Sequence, residues 1–211
     1  MRLVHMEDPV AALRVPTSSD PLRVLVSGCI AGMPCGVDGT DYGLGATLRV
    51  FLSLPTVRSI PFCPEDHGIG TPRTMPDIHD GDGYDVLDGR ARVLDEHGKD
   101  LTEAMILGAN GMLAEALANK AELAILTDMS AACGSQVISD GCRLVDERSF
   151  RAGVGVATAL LLRNSIPVLS QRDHRTLERI RAHLDPSFQA DPTAVDHHET
   201  AWYREYFGPF G

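Results

Sequence analysis

Short apolar runs alternate along this chain with segments of helical periodicity. The runs predicted as strands are 22–26, 57–62, 123–126 and 166–169. Because parallel strands need a crossover between them, which is usually a helix, this alternation predicts βαβ units. We therefore expect an α/β fold with a single open, mostly parallel sheet and helices on both faces, a Rossmann-like three-layer sandwich.

Four helices are predicted, over residues 45–54, 102–120, 153–164 and 176–184. Four apolar residues share one face of the longest: Met105, Ala109, Met112 and Ala116. Gly108 and Gly111 in the same helix predict the close approach of a neighbouring backbone. Residues 66–98 are rich in Gly, Pro and Asp, which predicts a loop with a hairpin around 84–95.

The composition of the two ends differs from that of the middle. Residues 1–21 are predicted to be a loose extension, residues 22–184 an α/β domain, and residues 185–211 an aromatic tail. On a helix, four aromatic residues of the tail would form a stripe: Trp202, Tyr203, Tyr206 and Phe207. This stripe either docks onto the domain or a partner subunit, or forms a lid over an active site.

Charge and hydropathy exclude several classes of protein. The formal net charge is −10, which argues against a broad surface for the phosphates of a nucleic acid. No apolar run approaches the ~20 residues of a membrane-spanning helix. The first residues include acidic side chains and a proline where a signal peptide needs an apolar stretch. We therefore expect a cytoplasmic protein that has no membrane segment.

The chain has five cysteines: Cys29, Cys35, Cys63, Cys133 and Cys142. An odd number in a reducing compartment favours metal ligation or catalysis over disulfides, although buried cysteines also serve as small apolar residues. Cys29 follows the first predicted strand, Cys63 the second, and Cys133 lies in the loop after the third. Since the carboxyl ends of parallel strands lie on one edge of the sheet, we expect these three thiols to converge there.

Three converging thiolates could hold a metal. Structural zinc usually takes four ligands, with about two to four residues between paired cysteines. Here five residues lie between Cys29 and Cys35, and the other cysteines stand alone. Iron–sulfur clusters accept dispersed cysteines, and three thiolates would leave one iron open as a Lewis acid. The spacing indicates a metal site and leaves a cluster and zinc both open.

Polar residues near the cysteines are candidates for chemistry. Glu65, two residues after Cys63, could activate water, cap a helix or be a solvated carboxylate. Ser130, three residues before Cys133, could bind a substrate carbonyl or close a turn. Arg73 is either a clamp for an anion or a surface charge.

Four motifs, in this order along the chain, resemble those of the bacterial thiouracil desulfidases, a family long labelled as of unknown function. They are VSGCIAG (26–32) followed by DG (38–39), CPE (63–65) followed by GTPR (70–73), SAACG (130–134), and GVGV (153–156). The segments 85–93 and 98–104 also fit. The resemblance extends from about residue 22 to residue 171, which is most of the chain.

The resemblance implies an iron–sulfur-dependent desulfidase. By it, Cys29, Cys63 and Cys133 would ligate a 4Fe-4S cluster whose fourth iron is free. The reaction would be the non-redox removal of sulfur from a thiolated pyrimidine by C–S bond cleavage. Glu65 would activate the water that attacks the thiocarbonyl carbon, and Ser130 would position the ring.

The sequence departs from the family pattern at several positions. Ala131 and Ala132 stand where the family commonly has a proline and a second serine, and Thr127 where a lysine is often found. Gly36 and Val37 replace an arginine–tyrosine pair. These differences predict changed pocket walls, so the substrate need not be thiouracil itself.

A small thiolated base or nucleoside is the expected partner. The acidic charge makes intact tRNA the weaker expectation, and a homodimer is a further prediction. By the same resemblance, Cys35 is a neighbour of the cluster or a reserve ligand, and Cys142 is structural. Two alternatives remain: a non-catalytic iron–sulfur or zinc sensor module, and a cysteine hydrolase without a metal.

Overall fold

A computed structural model describes residues 10–11 and 13–208 of the chain. The strands in this part are β1 (Leu22–Ser27), β2 (Val57–Phe62), β3 (Asp77–His79), β4 (Arg92–Leu94), β5 (Leu123–Leu126), β6 (Val137–Ser139), β7 (Phe150–Ala152) and β8 (Val168–Ser170). Four of them form one parallel sheet in the order β2–β1–β5–β8. β3 pairs with β4, and β6 with β7, as separate antiparallel pairs.

The helices connect and cover these strands. They are α1 (Arg49–Leu52), α2 (Pro64–Gly68), α3 (Gly83–Leu87), α4 (Thr102–Ala118), α5 (Val156–Arg163), α6 (His174–Leu184) and α7 (Ala201–Phe207), with 3₁₀ turns at Leu44–Ala46 and His197–Glu199. Among the described residues, no helix combines the length and the apolar character needed to cross a membrane.

Two apolar cores lie on opposite faces of the parallel sheet. On one face, α4 and α5 pack on the sheet through Met105, Met112 and Leu161. On the other face, Phe51 of α1 and Ile180 of α6 belong to a second core that also includes residues of β1 and β5. This arrangement confirms the predicted fold class, an α/β protein with helices on both faces of a parallel sheet.

Two predictions of local structure are wrong. The hairpin predicted around 84–95 is absent from the described chain, because residues 83–87 form α3 and β4 pairs with β3 instead. Asp82 starts this short helix by accepting hydrogen bonds from the backbone N–H groups of Tyr84 and Asp85. The helix predicted over 45–54 is divided into a 3₁₀ turn and the short α1.

The helices α2 and α4 approach each other closely. A Cβ atom added to Gly108 would lie 1.9 Å from the carbonyl oxygen of Pro64, and one added to Gly68 would lie 2.0 Å from the backbone of α4. The prediction for Gly108 is therefore confirmed. Gly111 faces side chains instead, because a Cβ atom added there would lie 2.8 Å from the ring of His67. Glycine is needed at positions 68 and 108 for α2 to lie this close to α4, because a side chain at either position would overlap the backbone of the other helix.

Residues beyond both predicted domain boundaries contact the α/β domain. Arg14 forms an ion pair with Glu122 at 2.6 Å. In α7, the Trp202 ring lies 5.6 Å from that of Phe150, so the tail docks on the domain. Residues 1–9, 12 and 209–211 of the predicted extension and tail lie outside the described residues. The boundaries at residues 22 and 184 stay a prediction.

Candidate active site

A cavity of about 290 Å³ is lined by residues that follow β1, β2 and β5 at the carboxyl edge of the parallel sheet. The sequence-predicted residues that line it are Cys29, Cys35, Cys63, Cys133, Glu65, Ser130 and Arg73. Side chains from separate parts of the chain thus meet as the strand order requires. Cys142 does not line this cavity.

Cys63 is held by the start of α2. It is the residue that caps this helix, and its sulfur accepts a hydrogen bond from the backbone N–H of Asp66 at 3.4 Å. Pro64 occupies the first helical position, where its fixed φ fits and its missing N–H is not needed. We call residues 63–68, which bring Cys63 and Glu65 to the cavity, the α2 wall.

Cys35 lies between Cys29 and Cys63, with its thiol within hydrogen-bonding reach of both sulfurs. Hydrogen bonding from Cys35 lowers the pKa of Cys29 to about 7 and also lowers the pKa of Cys63. The pKa of Cys35 is raised, first by its contact with Cys29 and then by its contact with Cys63. Thr127 assists, because its hydroxyl oxygen lies 3.0 Å from the Cys29 sulfur.

Cys133 differs from these three cysteines in its surroundings. It belongs to the apolar core on the α4 face, and burial raises the pKa of its thiol well above the ordinary value. A hydrogen bond from the hydroxyl of Ser27 to the Cys133 sulfur opposes this effect. A cation near its sulfur would therefore have to supply the stabilisation of the thiolate that Cys35 supplies to Cys29 and Cys63.

Glu65 is held between two partners. Its Oε2 atom accepts a hydrogen bond from Arg73 at 2.7 Å, and its Oε1 atom accepts one from Ser130 at 2.9 Å. The Arg73 side chain is only 4% exposed, so it is not a surface charge. Burial opposes the charge on Arg73, but the attraction of Glu65 outweighs burial and raises the pKa of Arg73. The carboxylate of Glu65 is thus fixed in position beside the cavity.

Of the two roles predicted for Ser130, the structure shows the closing of a turn, and the binding of a substrate carbonyl stays a prediction. Its oxygen accepts hydrogen bonds from the backbone N–H groups of Ala132 and Cys133, at 3.1 and 3.0 Å, which closes a turn. Its hydroxyl proton is donated to Glu65. Ser130 therefore connects the segment that carries Cys133 to the α2 wall.

Asp128 holds the segment between β5 and β6, residues 127–136, which we call the β5 loop. Its Oδ1 atom accepts hydrogen bonds from four backbone N–H groups, those of Met129, Ser135, Gln136 and Val137, at 2.9 to 3.1 Å. Sequence reasoning missed this residue, because an aspartate after a strand is ordinary turn material and its role depends on burial.

Arg143 is a second cavity residue that sequence reasoning missed. Its Nε atom donates to Asp77 at 2.6 Å, and its Nη1 atom donates to the carbonyl oxygen of Met129 at 2.9 Å. These contacts hold a guanidinium group at the cavity, where it can donate to a substrate oxygen. Its sequence position after Cys142 matches no motif that would have revealed it.

The donor set fits an iron–sulfur cluster in its chemistry. Cysteine thiolates are the ligands of such clusters, and Cys29, Cys63 and Cys133 line one cavity. A Cβ atom on Gly28 would lie 3.0 Å from the Cys35 sulfur and 3.2 Å from Cβ of Cys63, so glycine leaves the space between them open. In the described part of the chain, no group of three or more His, Cys, Asp or Glu side chains is placed so that it could hold a single metal ion. A cluster differs because each thiolate binds its own iron.

Comparisons with known proteins agree with this geometry. The model of the 2-thiouracil desulfurase family matches residues 24–173. The uncharacterized protein YbbK of Bacillus subtilis (strain 168) is 32% identical over 151 residues, which are 71% of this chain and 96% of that protein. The solved structure of the [4Fe-4S]-dependent thiouracil desulfidase TudS is 33% identical, with a TM-score of 0.59, and the match covers 71% of this chain and 90% of that chain.

Proposed function

Because the chain belongs to the 2-thiouracil desulfurase family, we propose that it removes sulfur from a thiolated pyrimidine, a base or nucleoside resembling 2-thiouracil. One observation carries the proposal. Cys29, Cys63 and Cys133 line the same cavity as the hydrogen-bonded pair Glu65 and Ser130. Ligands for a cluster and a carboxylate that can accept a proton thus face one small space.

The cofactor of the proposed reaction is a 4Fe-4S cluster held by Cys29, Cys63 and Cys133. TudS, which this chain resembles over 71% of its length, is described as dependent on such a cluster. When bound, the cluster supplies an iron with an open position, a Lewis acid soft enough for sulfur. Cys35 lines the same cavity, as a neighbour of the cluster or a reserve ligand.

The residues of this chain would direct water to the carbon–sulfur bond. Glu65 accepts a proton from water as the oxygen attacks the thiocarbonyl carbon, and the sulfur leaves as sulfide. The products are the oxygenated base and hydrogen sulfide, so no oxidant or reductant is consumed. Arg73 holds the carboxylate of Glu65 in position, and the hydroxyl of Ser130 can turn from Glu65 to a polar atom of the ring.

A free base or nucleoside fits the cavity better than intact tRNA. The cavity volume of about 290 Å³ is that of a small-molecule site, and the net charge of −10 disfavours a polyanion. Arg143 offers a donor for a ring carbonyl oxygen. A cytoplasmic location suits five free thiols and an iron–sulfur cluster, and a homodimer stays a prediction.

Anaerobic reconstitution with iron and sulfide, followed by incubation with thiolated bases, nucleosides and tRNA, tests the proposal. We expect sulfide release together with the oxygenated base from the small substrates. Cys29→Ser, Cys63→Ser and Cys133→Ser should each lose the iron and the absorbance near ~400 nm, whereas Cys142→Ser keeps both. Iron retained at the full level in any of the first three variants would contradict the ligand set.

Glu65→Gln separates an enzyme from a sensor that only carries the cluster. We expect the variant to keep the iron content and absorbance of the unmodified protein and to lose sulfide release by at least about a hundredfold, because the proton acceptor is gone. A reconstituted protein that releases no sulfide from any thiolated substrate would overturn the proposal and favour the sensor.

A further inference from the structure

The segment after residue 173, where the match to the family model ends, packs back against the β5 loop. His197, in the 3₁₀ turn His197–Glu199, is 2% exposed. Its Nδ1 atom lies 2.7 Å from the Oδ2 atom of Asp128. A buried side chain from outside the matched region therefore reaches the residue that holds the β5 loop.

Asp128 uses its two oxygens for different purposes. The Oδ1 atom accepts hydrogen bonds from four backbone N–H groups, three in the β5 loop and that of Val137, while Oδ2 faces His197 and the hydroxyl of Ser170. Burial opposes the charge of Asp128, but the hydrogen bond from His197 and those from the loop outweigh burial and lower the pKa of Asp128. His197 thus helps to keep the acceptor of the loop in its charged form.

A second aspartate fixes the backbone of His197. Asp173 accepts hydrogen bonds from the backbone N–H of His197 at 3.2 Å and from the side chain of Gln136 in the β5 loop at 2.7 Å. The Trp202 ring stacks on the His197 ring, with an interplanar angle of 6° and centroids 5.7 Å apart. Three contacts therefore hold His197: Asp173 at its backbone N–H, the Trp202 ring on the face of the imidazole, and Asp128 at Nδ1.

We propose that His197 is a positioning residue of the active site, which acts through Asp128 to fix the β5 loop and thereby Ser130 and Cys133. The roles of Ser130 and Cys133 in this inference rest on the proposed function. The fixing of the β5 loop rests on the hydrogen bonds alone. Ser130 is two residues from Asp128 and in contact with Glu65, so a displacement of the loop separates the two walls of the cavity.

Three variants test the inference. His197→Leu removes the hydrogen bond to Asp128, His197→Asn keeps a donor near the position of Nδ1, and His198→Asn changes the exposed neighbour as a matched control. The first readout is amide hydrogen exchange in the cluster-free protein. The second is kcat and KM for sulfide release by the reconstituted protein.

In His197→Leu we expect the amides of Ser135, Gln136 and Val137 to exchange at least about tenfold faster, because a hydrogen bond to a charged group is lost. The exchange of α4 amides should not change. We also expect kcat to fall about tenfold with little change in KM. Residues that orient a ligating residue through a hydrogen bond typically change activity by about tenfold or more when they are replaced. His197→Asn should restore most of both effects, and His198→Asn should match the unmodified protein.

Loop amides that exchange at the original rate in folded His197→Leu would overturn the inference. So would an asparagine variant that behaves like the leucine variant in both measurements. If His197→Leu does not fold, His197→Gln, whose amide sits near Nε2 instead of Nδ1, replaces it in the comparison. A protein without any desulfidase activity would overturn the proposed function but leave the exchange measurement valid.

Discussion

The α2 wall and the β5 loop face the same cavity, but different forces hold them. The α2 wall is held by contact between two helix backbones. Gly108 of α4 lies so close to Pro64 that no side chain would fit between them. The β5 loop is held by hydrogen bonds to a buried carboxylate, with four N–H groups on one oxygen of Asp128 and His197 at the other.

The difference shows how each wall responds to change. A packed contact tolerates no added volume, since interiors are close-packed and backbones do not move aside easily. A hydrogen-bonded loop tolerates changes of volume at its surface but depends on the charge and the donors of its centre. One wall should therefore be sensitive to size, and the other to polarity and pH.

Gly108→Ala should break the α2 wall and have the largest effect. Its Cβ atom would lie 1.9 Å from a backbone oxygen, so α2 must move and carry Cys63 and Glu65 with it. We expect a loss of about 3 kcal/mol in the free energy of unfolding, measured by urea denaturation. Sulfide release should fall below detection.

Gly111→Ala is the matched control in the same helix. The added Cβ atom would lie 2.8 Å from the ring of His67 and 3.0 Å from that of Phe62, which are side chains rather than backbone. We expect a change within about 1 kcal/mol, because the gain in helix propensity offsets the displaced ring. Equal losses in the two alanine variants would show that the contact with Pro64 is not what holds this wall.

Asp128→Asn should weaken the β5 loop by roughly 2 kcal/mol, because the loop N–H groups and His197 lose a charged acceptor. The pKa of Asp128 is below its ordinary value in the folded protein. Its contribution to stability is therefore complete above the unfolded pKa and is lost as the pH falls through the folded pKa. Urea denaturation at several pH values should show the two proteins converging in acid, and a constant difference would refute this account.

Arg73→Lys tests the polar contact of the α2 wall. Lysine keeps the charge but cannot make the several hydrogen bonds through which Arg73 holds Glu65 and the carbonyl of Cys35. We expect a loss of about 1 kcal/mol and a fall in kcat with little change in KM. An unchanged kcat would show that Arg73 does not orient the carboxylate for the reaction.

Thr127→Val should have the smallest effect, on the ionisation of Cys29. In the cluster-free protein, the pKa of Cys29 is lowered to about 7, first by Cys35 and also by Thr127. The rate at which iodoacetamide alkylates Cys29, measured by mass spectrometry, should therefore rise with pH and reach half its maximum near pH 7. Valine removes one donor to the thiolate, so the midpoint should move up by about half a pH unit. A midpoint that stays in place would exclude a role for Thr127.

The sheet and the meeting of the cysteines could be predicted because they depend on local patterns. Apolar runs mark the strands, and parallel order places Cys29, Cys63 and Cys133 on one edge. The short helix α3 could not be predicted from periodicity, because it is one turn fixed by the cap at Asp82. Asp85 completes this cap by accepting a hydrogen bond from the backbone N–H of Asp82, so the turn forms without any apolar periodicity.

The pair of Asp128 and His197 shows a second limit. The two residues are 69 positions apart, and nothing in the sequence between them has a period that would connect them. Each is ordinary by itself, an aspartate in a loop and a histidine in a polar stretch. The pairing depends on how the tail folds back, which only tertiary structure determines. The aromatic stripe was visible in the sequence, but not that Trp202 covers His197.

The position of His197 in the chain has a consequence for biosynthesis. A ribosome makes every cysteine of the cavity, as well as Glu65 and Ser130, before it reaches His197. A nascent chain that stops short of this residue contains the whole set of proposed ligands, yet the loop bearing Cys133 lacks its last hydrogen-bonding partner. Every proposed ligand thus precedes His197 in the chain, so the buried contact that holds the loop forms only after the segment that carries His197 has been made.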